Sequence, residues 1–535
     1  MKEIHVAGTA SRGIVVSHVL KYEEPDYTPS GGGITAEQAE AEQETFEHAR
    51  QAVKAALGEL AAQSDIFAAH LAIMDDFVLL ESVGGRIAGE HKNAQAAVHE
   101  TIEELASMFD VIDDPYMRER GADVRDIGKR LMAELKGITP PDLGNLKHEG
   151  IVAARELYPS DMVRLDPALV KGIITEEGGV TSHVSIIAGS LGIPVLAGVG
   201  PVLDELEEDM MVCMDAGEGI LVLDPDEETL SRYRARREAS ERERLHLKRL
   251  RTMPAATKNG PRIRLCVNAG SIQEIENALP MNIDGVGLFR SELLYMESTQ
   301  FPTEEEQFEV YKKAAILCPG ELTVRTLDIG GDKALSYFEL DREENPFLGW
   351  RAIRISLDMK DMFKQQLRAI LRAGAFGHVR ILFPMLISLE ELRQAKAVVR
   401  ECMEELQMEQ TAFDGKMEIG MMIETPASVL LAEEFAREAD FFSIGTNDLT
   451  QYLLAVDRGN TRLAGRYDYF HPAVLKAIAH VIEAGHRQGI PVGMCGEMAG
   501  DLQAVPILLK MGLDEFSMSA GSIDYVREKI LKAEL

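Results

Sequence analysis

Two groups of residues in this chain have types and spacing that suit chemistry on an anion. The first is Gly178-Gly179-Val180-Thr181-Ser182-His183. It follows an apolar run, Gly172 to Thr175, that predicts a buried strand. It precedes Val184 to Leu191, a periodic apolar stretch closed by Gly192 that predicts a short helix. The paired glycines permit a sharp turn, and Thr181 or Ser182 can cap the helix. His183 then falls on the first helical turn, where free N–H groups and the helix dipole favour negative charge. The same positive end disfavours imidazolium and keeps the ring neutral and nucleophilic near pH 7. Such a ring beside an anion site has what it needs to accept a phosphoryl group. A capping turn whose histidine merely packs fits the segment equally.

The second group is Glu424 and Asp448, each just past an apolar strand-like run. Two converging carboxylates suit Mg²⁺, which keeps waters and takes further ligands from substrate oxygens. Structural carboxylates at strand ends are the alternative. Arg290, Arg325 and Arg458 also fall at strand ends or in the loops that follow, and arginine forks match phosphate and carboxylate. Arg325 opens the polar run Arg325-Thr326-Leu327-Asp328-Ile329-Gly330-Gly331-Asp332-Lys333. A surface salt-bridge network could use that density, but the glycines point to close backbone approach by a ligand. Together these groups describe a site for a small, doubly anionic metabolite with bound Mg²⁺, in a different domain from His183.

The elements that must position them follow from periodicity. Residues 4–23 alternate enough to be strands, and Pro29-Ser30-Gly31-Gly32-Gly33 is a loop. Thr35 and Gln38 resemble a capping box, and the pattern is helical from there to about residue 136. From Gly150, strand-like runs at 151–154, 172–175, 194–197 and 219–223 alternate with short helices. If the N-terminal strands join them, the helical stretch is an insertion in an α/β domain. Residues 226–251 read as an exposed connecting helix whose interleaved acids argue against a nucleic-acid patch. After Pro254 come eight apolar runs: 264–268, 285–290, 322–328, 379–384, 418–424, 441–447, 491–495 and 515–519. Eight strands alternating with helices predict a (β/α)8 TIM barrel, whose chemistry belongs at the strand C-terminal ends. Arg290, Glu424, Asn447 with Asp448, and Cys495 all sit there.

Whole-chain properties bound the rest. The 535 residues suggest three or four domains. A formal charge of −32 disfavours nucleic acid and anionic membranes and favours basic partners. Five scattered cysteines without a CxxC pair argue against a disulfide framework or zinc site. No apolar run reaches membrane-spanning length and the N-terminus lacks a signal-peptide stretch, so the expected location is cytoplasmic, without membrane insertion.

These motifs, with Asp284–Glu292, Asn345-Pro346-Phe347-Leu348-Gly349-Trp350-Arg351, Ile423-Glu424-Thr425-Pro426, Gly445–Tyr452 and Cys495-Gly496-Glu497, resemble the enzyme I family of the phosphoenolpyruvate:sugar phosphotransferase system over nearly the full length. The resemblance implies a phosphohistidine swivelling α/β domain at 1–28 and 141–225, and a helical insertion at 29–140 that receives the carrier protein HPr. It implies a linker helix at 226–253 and a phosphoenolpyruvate-binding barrel at 254–535. It implies that His183 takes the phosphoryl group from phosphoenolpyruvate and passes it to HPr. Glu424 and Asp448 would hold Mg²⁺, while Arg290, Arg325, Lys333, Arg351, Asn447 and Arg458 would bind substrate. Cys495, otherwise a core residue, would protonate the enolate. The histidine domain would swing on hinges near 145 and 226–254, and the barrel would form a homodimer. Phosphoenolpyruvate synthase and pyruvate, phosphate dikinase share the histidine and barrel motifs, but they need an ATP-binding domain that has no visible counterpart. A non-catalytic regulatory homologue is disfavoured by the intact acidic, basic and histidine positions. Val180 and Gly189 stand where the family usually has arginines, removing two positive charges near His183, and Ser291 replaces a common threonine. The family usually continues by another helix or two, so either the protein is naturally short or the barrel's closing helix is incomplete at Leu535.

Overall fold

The computed structural model describes residues 1–535 except 7, 8, 12, 62–64, 111–114, 140, 142, 163, 164, 180–182, 297, 299, 331–334, 336, 339–342, 461 and 535. Only the backbone is described for 9–11, 59, 61, 65, 66, 68, 110, 115–119, 183, 186, 190 and 464. The chain forms two compact units, Met1–Arg242 and Glu243–Leu535.

In the first unit, eight strands make one mixed sheet: β1 (Lys2–His5), β2 (Thr9–Ser11), β3 (Ile14–Lys21), β4 (Gly150–Ala154), β5 (Val170–Thr175), β6 (Val195–Ala197), β7 (Met211–Asp215) and β8 (Ile220–Leu223). Their order is β1-β8-β7-β3-β4-β5-β6-β2. Strands β3 to β6 pair in parallel, and the flanking strands pair antiparallel. The N-terminal strands therefore join the later ones, and the helical stretch is inserted between β3 and β4. β4 is buried along its whole length, as the continuous apolar run at 151–154 requires of a central parallel strand. Strand β7 is not evident in the sequence. Its methionines and cysteine carry less strand signal than β-branched residues.

The inserted helices run Ala39–Ala61, Asp65–Met74, Phe77–Ala88, Ala94–Asp110 and Pro115–Lys136. They bury their own core, in which Leu57, Val83, Ile87, Ala97, Val98, Ile127 and Leu131 are fully enclosed. At their start the Gln38 side chain accepts from the Thr35 N–H at 2.8 Å, as the capping pattern anticipates. A single helix, Glu227–Leu250, follows the sheet.

The second unit is a closed barrel of eight parallel strands: β9 (Arg264–Ala269), β10 (Gly285–Arg290), β11 (Glu321–Arg325), β12 (His378–Phe383), β13 (Glu418–Ile423), β14 (Phe442–Ile444), β15 (Val492–Met494) and β16 (Glu515–Met518). Closure comes from β16 pairing with β9, with Ser517 opposite Cys266. All eight anticipated strands are present. The last helix, Ala520–Lys532, lays Ile523, Val526 and Ile530 into the barrel core. Its buried Arg527 donates to the carbonyls of Met253, Met281 and Asn282 at 2.6–3.0 Å. This helix is thus tied to the strand-entry loops. Among the described residues no helix is long and apolar enough to cross a membrane.

Candidate active site at the mouth of the barrel

Beyond the C-terminal ends of the strands lies a cavity of about 640 Å³, whose lining includes Arg290, Arg325, Arg351, Glu424, Asn447, Asp448, Arg458 and Cys495. This is the face where the parallel-barrel rule places ligands. Each side chain arrives by a local device. Glu424 follows β13, and its Oε1 accepts from the Met385 N–H at 2.7 Å. A Cβ on Gly445 would lie 2.7 Å from Glu424 Oε2, so only glycine lets the chain leaving β14 pass so close. Asp448 stands in the first turn of the helix Thr446–Leu454, where the free N–H groups favour its charge.

Two buried arginines face these carboxylates. Arg325 ends β11 and pairs with Glu292 and, at 3.2 Å, with Asp328. Arg351 donates to Asp328 Oδ1 at 2.9 Å and to Asp448 Oδ2 at 3.3 Å. Asp328 therefore clamps both guanidinium groups, one through each oxygen. Arg351 reaches this position from a tight backbone crossing. Gly330 has φ +101°, a Cβ on it would meet Arg351 Cβ at 2.6 Å, and Ala352 next door has φ +53°. Arg351 also donates to Tyr452 Oη at 3.3 Å, and that hydroxyl donates to the Phe347 carbonyl. The neighbouring Trp350 is half-buried. Its indole N–H donates to Asp358 at 2.7 Å, and its ring lies 6.1 Å from that of Phe338.

The electrostatics are unbalanced around the acids. Burial, then the nearby carboxylates of Asp448 and Asp328, push the Glu424 carboxyl up to about 8. Asp448 Oδ1 is buried with no hydrogen-bond partner among the described residues. Crowded carboxylates with a free buried oxygen are what a hard divalent cation relieves, so the residues present fit Mg²⁺. Glu424 and Asp448 are the carboxylates that would hold it, a pair that suits an ion whose other ligands are water and substrate oxygens. For Arg325, burial opposes the charge, but Glu292 and Asp328 outweigh it and hold the pKa above its ordinary value.

Cys495 is buried beneath the cavity among Leu288, Leu382, Met422 and Phe441. Burial raises its thiol to about 11, although Ser443 and Arg325 pull the other way. The group is a thiol at neutral pH. Asn447 and Glu497 interlock at the rim: Asn447 Nδ2 donates to Glu497 Oε1 at 3.1 Å, and the Glu497 N–H donates to Asn447 Oδ1 at 3.0 Å. Arg290 projects exposed from the end of β10. The guanidinium of Arg458 lies 5.9 Å from the Phe347 ring centroid.

The structure thus gathers Arg290, Arg325, Arg351, Glu424, Asn447, Asp448, Arg458 and Cys495 around one cavity. Lys333 lies outside the described residues. So do Val180, Thr181, Ser182 and the side chain of His183. His183 itself opens the helix His183–Ser190, Gly178 takes φ +94°, and Gly189 is exposed on that helix. Asp328, Glu292, Tyr452 and Asn268 are contributors that sequence reasoning did not single out. Asp328 was visible only as one member of the dense polar run.

Comparison with known proteins places this geometry. Residues 244–535 match the family described as PEP-utilising enzyme, PEP-binding domain. Residues 7–120 match the PEP-utilising enzyme N-terminal family, and 146–219 its mobile domain. A phosphoenolpyruvate-protein phosphotransferase of Bacillus sp. (strain S) is 43% identical over 524 residues, 96% of this chain and 90% of that protein. The protein of that name from Geobacillus stearothermophilus is 43% identical over 533 residues, 98% and 92% of the two chains. That of Bacillus subtilis (strain 168) is 41% identical over 540 residues, 99% and 95%. The chain belongs to the phosphoenolpyruvate-protein phosphotransferase family. The family match to the PEP-binding domain spans all eight barrel strands and every residue of the cavity. The match to the mobile domain spans the turn that carries His183.

Proposed function

We propose that this protein moves the phosphoryl group of phosphoenolpyruvate onto His183 and from there onto a small carrier protein of the HPr type. The observation that carries the reading is the arrangement at the barrel mouth, where two arginines clamped by Asp328 face two crowded carboxylates across one cavity. Glu424 and Asp448 would hold Mg²⁺, which when bound spreads and neutralises the charge of the phosphate.

The protein's own residues do the rest. Arg325 and Arg351 are oriented before substrate arrives, because Asp328, Glu292 and Tyr452 fix their planes. Such preorganised donors stabilise a phosphoryl group in flight without reorganising at the moment of transfer. Arg290, Asn447 and Arg458 line the remaining wall and take the carboxylate and outer phosphate oxygens, with Lys333 beside them in the sequence motif. Neutral His183 attacks phosphorus in line through Nε2. The P–N bond forms as the bridging P–O bond breaks, and the leaving enolate keeps the electron pair. The Cys495 thiol, held protonated by burial, then delivers its proton to the terminal carbon of the enolate. The carrier docks on the helices of 29–140, and the phosphoryl group passes from His183 to it.

The test is incubation with phosphoenolpyruvate carrying labelled phosphate, Mg²⁺ and a cognate HPr. Label should reach the protein and then HPr without ATP or AMP. The His183→Ala protein should bind phosphoenolpyruvate yet acquire no label. Label on that variant at wild-type stoichiometry would refute the assignment.

A further inference from the structure

We propose that Asn268 is a positioning residue for the proton donor, and that it sets the face on which the enolate is protonated. The inference rests on the reading of Cys495 as that donor.

Asn268 lies near the C-terminal end of β9, with its side chain on the cavity wall. Its Nδ2 donates to the main-chain carbonyl of Cys495 at 2.9 Å. Its Oδ1 accepts from Ser517 Oγ, in β16, at 2.6 Å. Ser517 is buried and is seated by a missing side chain opposite: a Cβ on Gly287 would come within 2.5 Å of the Ser517 hydroxyl. The Cys495 carbonyl can only accept, so a turned amide would set Oδ1 against another acceptor, and the Ser517 bond holds the amide in its present plane. The nitrogen is thereby aimed at the Cys495 carbonyl.

That carbonyl is the next atom group along the chain from the thiol-bearing Cα. From the other side, the Cys495 N–H donates to the Ile444 carbonyl at 3.1 Å. After Cys495, the chain crosses the N-terminus of the helix Thr446–Leu454 so closely that a Cβ on Gly496 would lie 1.9 Å from Thr446 Oγ1. The backbone at Cys495 is thus pinned on both sides, by Ile444 before the side chain and by Asn268 after it. The thiol stands beside Ser443 and lies 3.9 Å from the Ile444 carbonyl. Both neighbours belong to β14, so where the thiol points across the cavity depends on how firmly the main chain at Cys495 is held. A donor aimed that way delivers to one face of a planar carbon only while the peptide holds still.

Transfer to His183 leaves the enolate of pyruvate. Its terminal carbon forms a C–H bond with the proton from Sγ, the enolate oxygen becomes the keto oxygen, and the resulting thiolate recovers a proton from water. Phosphoryl transfer precedes this and uses neither the thiol nor Asn268. Displacing a reacting group by about 1 Å costs on the order of 10²-fold, so looseness at the carbonyl should cost about tenfold in proton delivery.

The experiment uses the full-length protein with HPr in D₂O and phosphoenolpyruvate tritiated stereospecifically at its terminal carbon. The methyl group of the pyruvate then reports the face of delivery. In parallel, quenched-flow measures His183 phosphorylation and pyruvate formation in one turnover. The wild type should give one methyl configuration. Asn268→Ala should give a mixture and lower the ratio of pyruvate formation to His183 phosphorylation by about tenfold. Asn268→Asp keeps the acceptor for Ser517 but loses the donor to Cys495, and should behave like the alanine variant. Ser517→Ala removes one of the two hydrogen bonds that seat the amide and should fall between. A residue that is merely structural would lower stability and slow both steps together with the configuration intact, and that outcome overturns the proposal. Cys495→Ala in the same assay separates the two ideas. Stereospecific pyruvate from Cys495→Ala removes the donor reading itself. A mixture from Cys495→Ala with a single configuration from Asn268→Ala removes only the role of Asn268.

Discussion

The barrel carries an arginine–carboxylate cluster at each end, and the two are built to opposite rules. At the N-terminal end, Arg264 and Arg380 meet Glu321 and Glu515, two charges of each sign. Arg380 also donates twice to Thr323 Oγ1, at 2.8 and 3.1 Å, and lies 4.2 Å from the Phe441 ring centroid. This end has a matched set of charges in contact with one another. At the C-terminal end, the carboxylates lie near each other, Glu424 resists ionisation, and Asp448 Oδ1 is left over. The same residue types make a plug in one place and a receptor in the other. What separates them is whether each carboxylate already sits against guanidinium groups or against another carboxylate.

Breaking the receptor should have the largest effect. Glu424→Ala and Asp448→Ala should each lower phosphoryl transfer to His183 by about 10²–10³-fold, the usual cost of one preorganised charge-stabilising group. Circular dichroism and melting temperature should stay near wild type, because removing either acid relieves repulsion. Breaking the plug should invert that pattern. Arg380→Met leaves Glu321 and Glu515 to share Arg264 alone and should cost about 3 kcal/mol of stability. Its kcat/KM for phosphoenolpyruvate should be unchanged while chemical denaturation moves to lower denaturant.

A third measurement sharpens the contrast through pH. The Glu424 carboxyl is raised from 4.5 to about 8, so its protonated form favours the fold. That contribution is fully present below about 4.5 and is lost as pH rises through about 8. On the proposed function, Mg²⁺ would compete for the same oxygens. Thermal protection of the protein by Mg²⁺ should therefore grow as pH rises from 6 to 8, with affinity increasing by up to about tenfold per unit, and level off above. Glu424→Gln should flatten that dependence. Protection that is constant across the range would show that Mg²⁺ does not displace the Glu424 proton.

The barrel strands were legible because each is an apolar run bounded by helical periods, and a parallel barrel strand is buried on both sides. β7 was not, since a methionine-rich run is compatible with either element. At the site, residues that line the cavity were legible as polar groups at or just past strand ends: Arg290, Arg325, Glu424, Asp448. Those that hold other residues were not. Asp328 earns its place by touching Arg325 and Arg351, which stand 3 and 23 positions away along the chain. Asn268 works through Cys495 and Ser517, 227 and 249 positions on. Strand alternation says which face a side chain takes, but the partner across the barrel is fixed only by closure and register.

Trp350 is the chain's only tryptophan, and it precedes Arg351 directly. Its indole is tethered to Asp358 and packed near Phe338, and its backbone N–H is held by Glu343 Oε1 at 2.9 Å. The protein therefore carries a built-in optical probe at the lip of one unit and none in the other. Selective excitation of indole should follow occupancy of the barrel mouth in the intact, unlabelled molecule, with no background from residues 1–242.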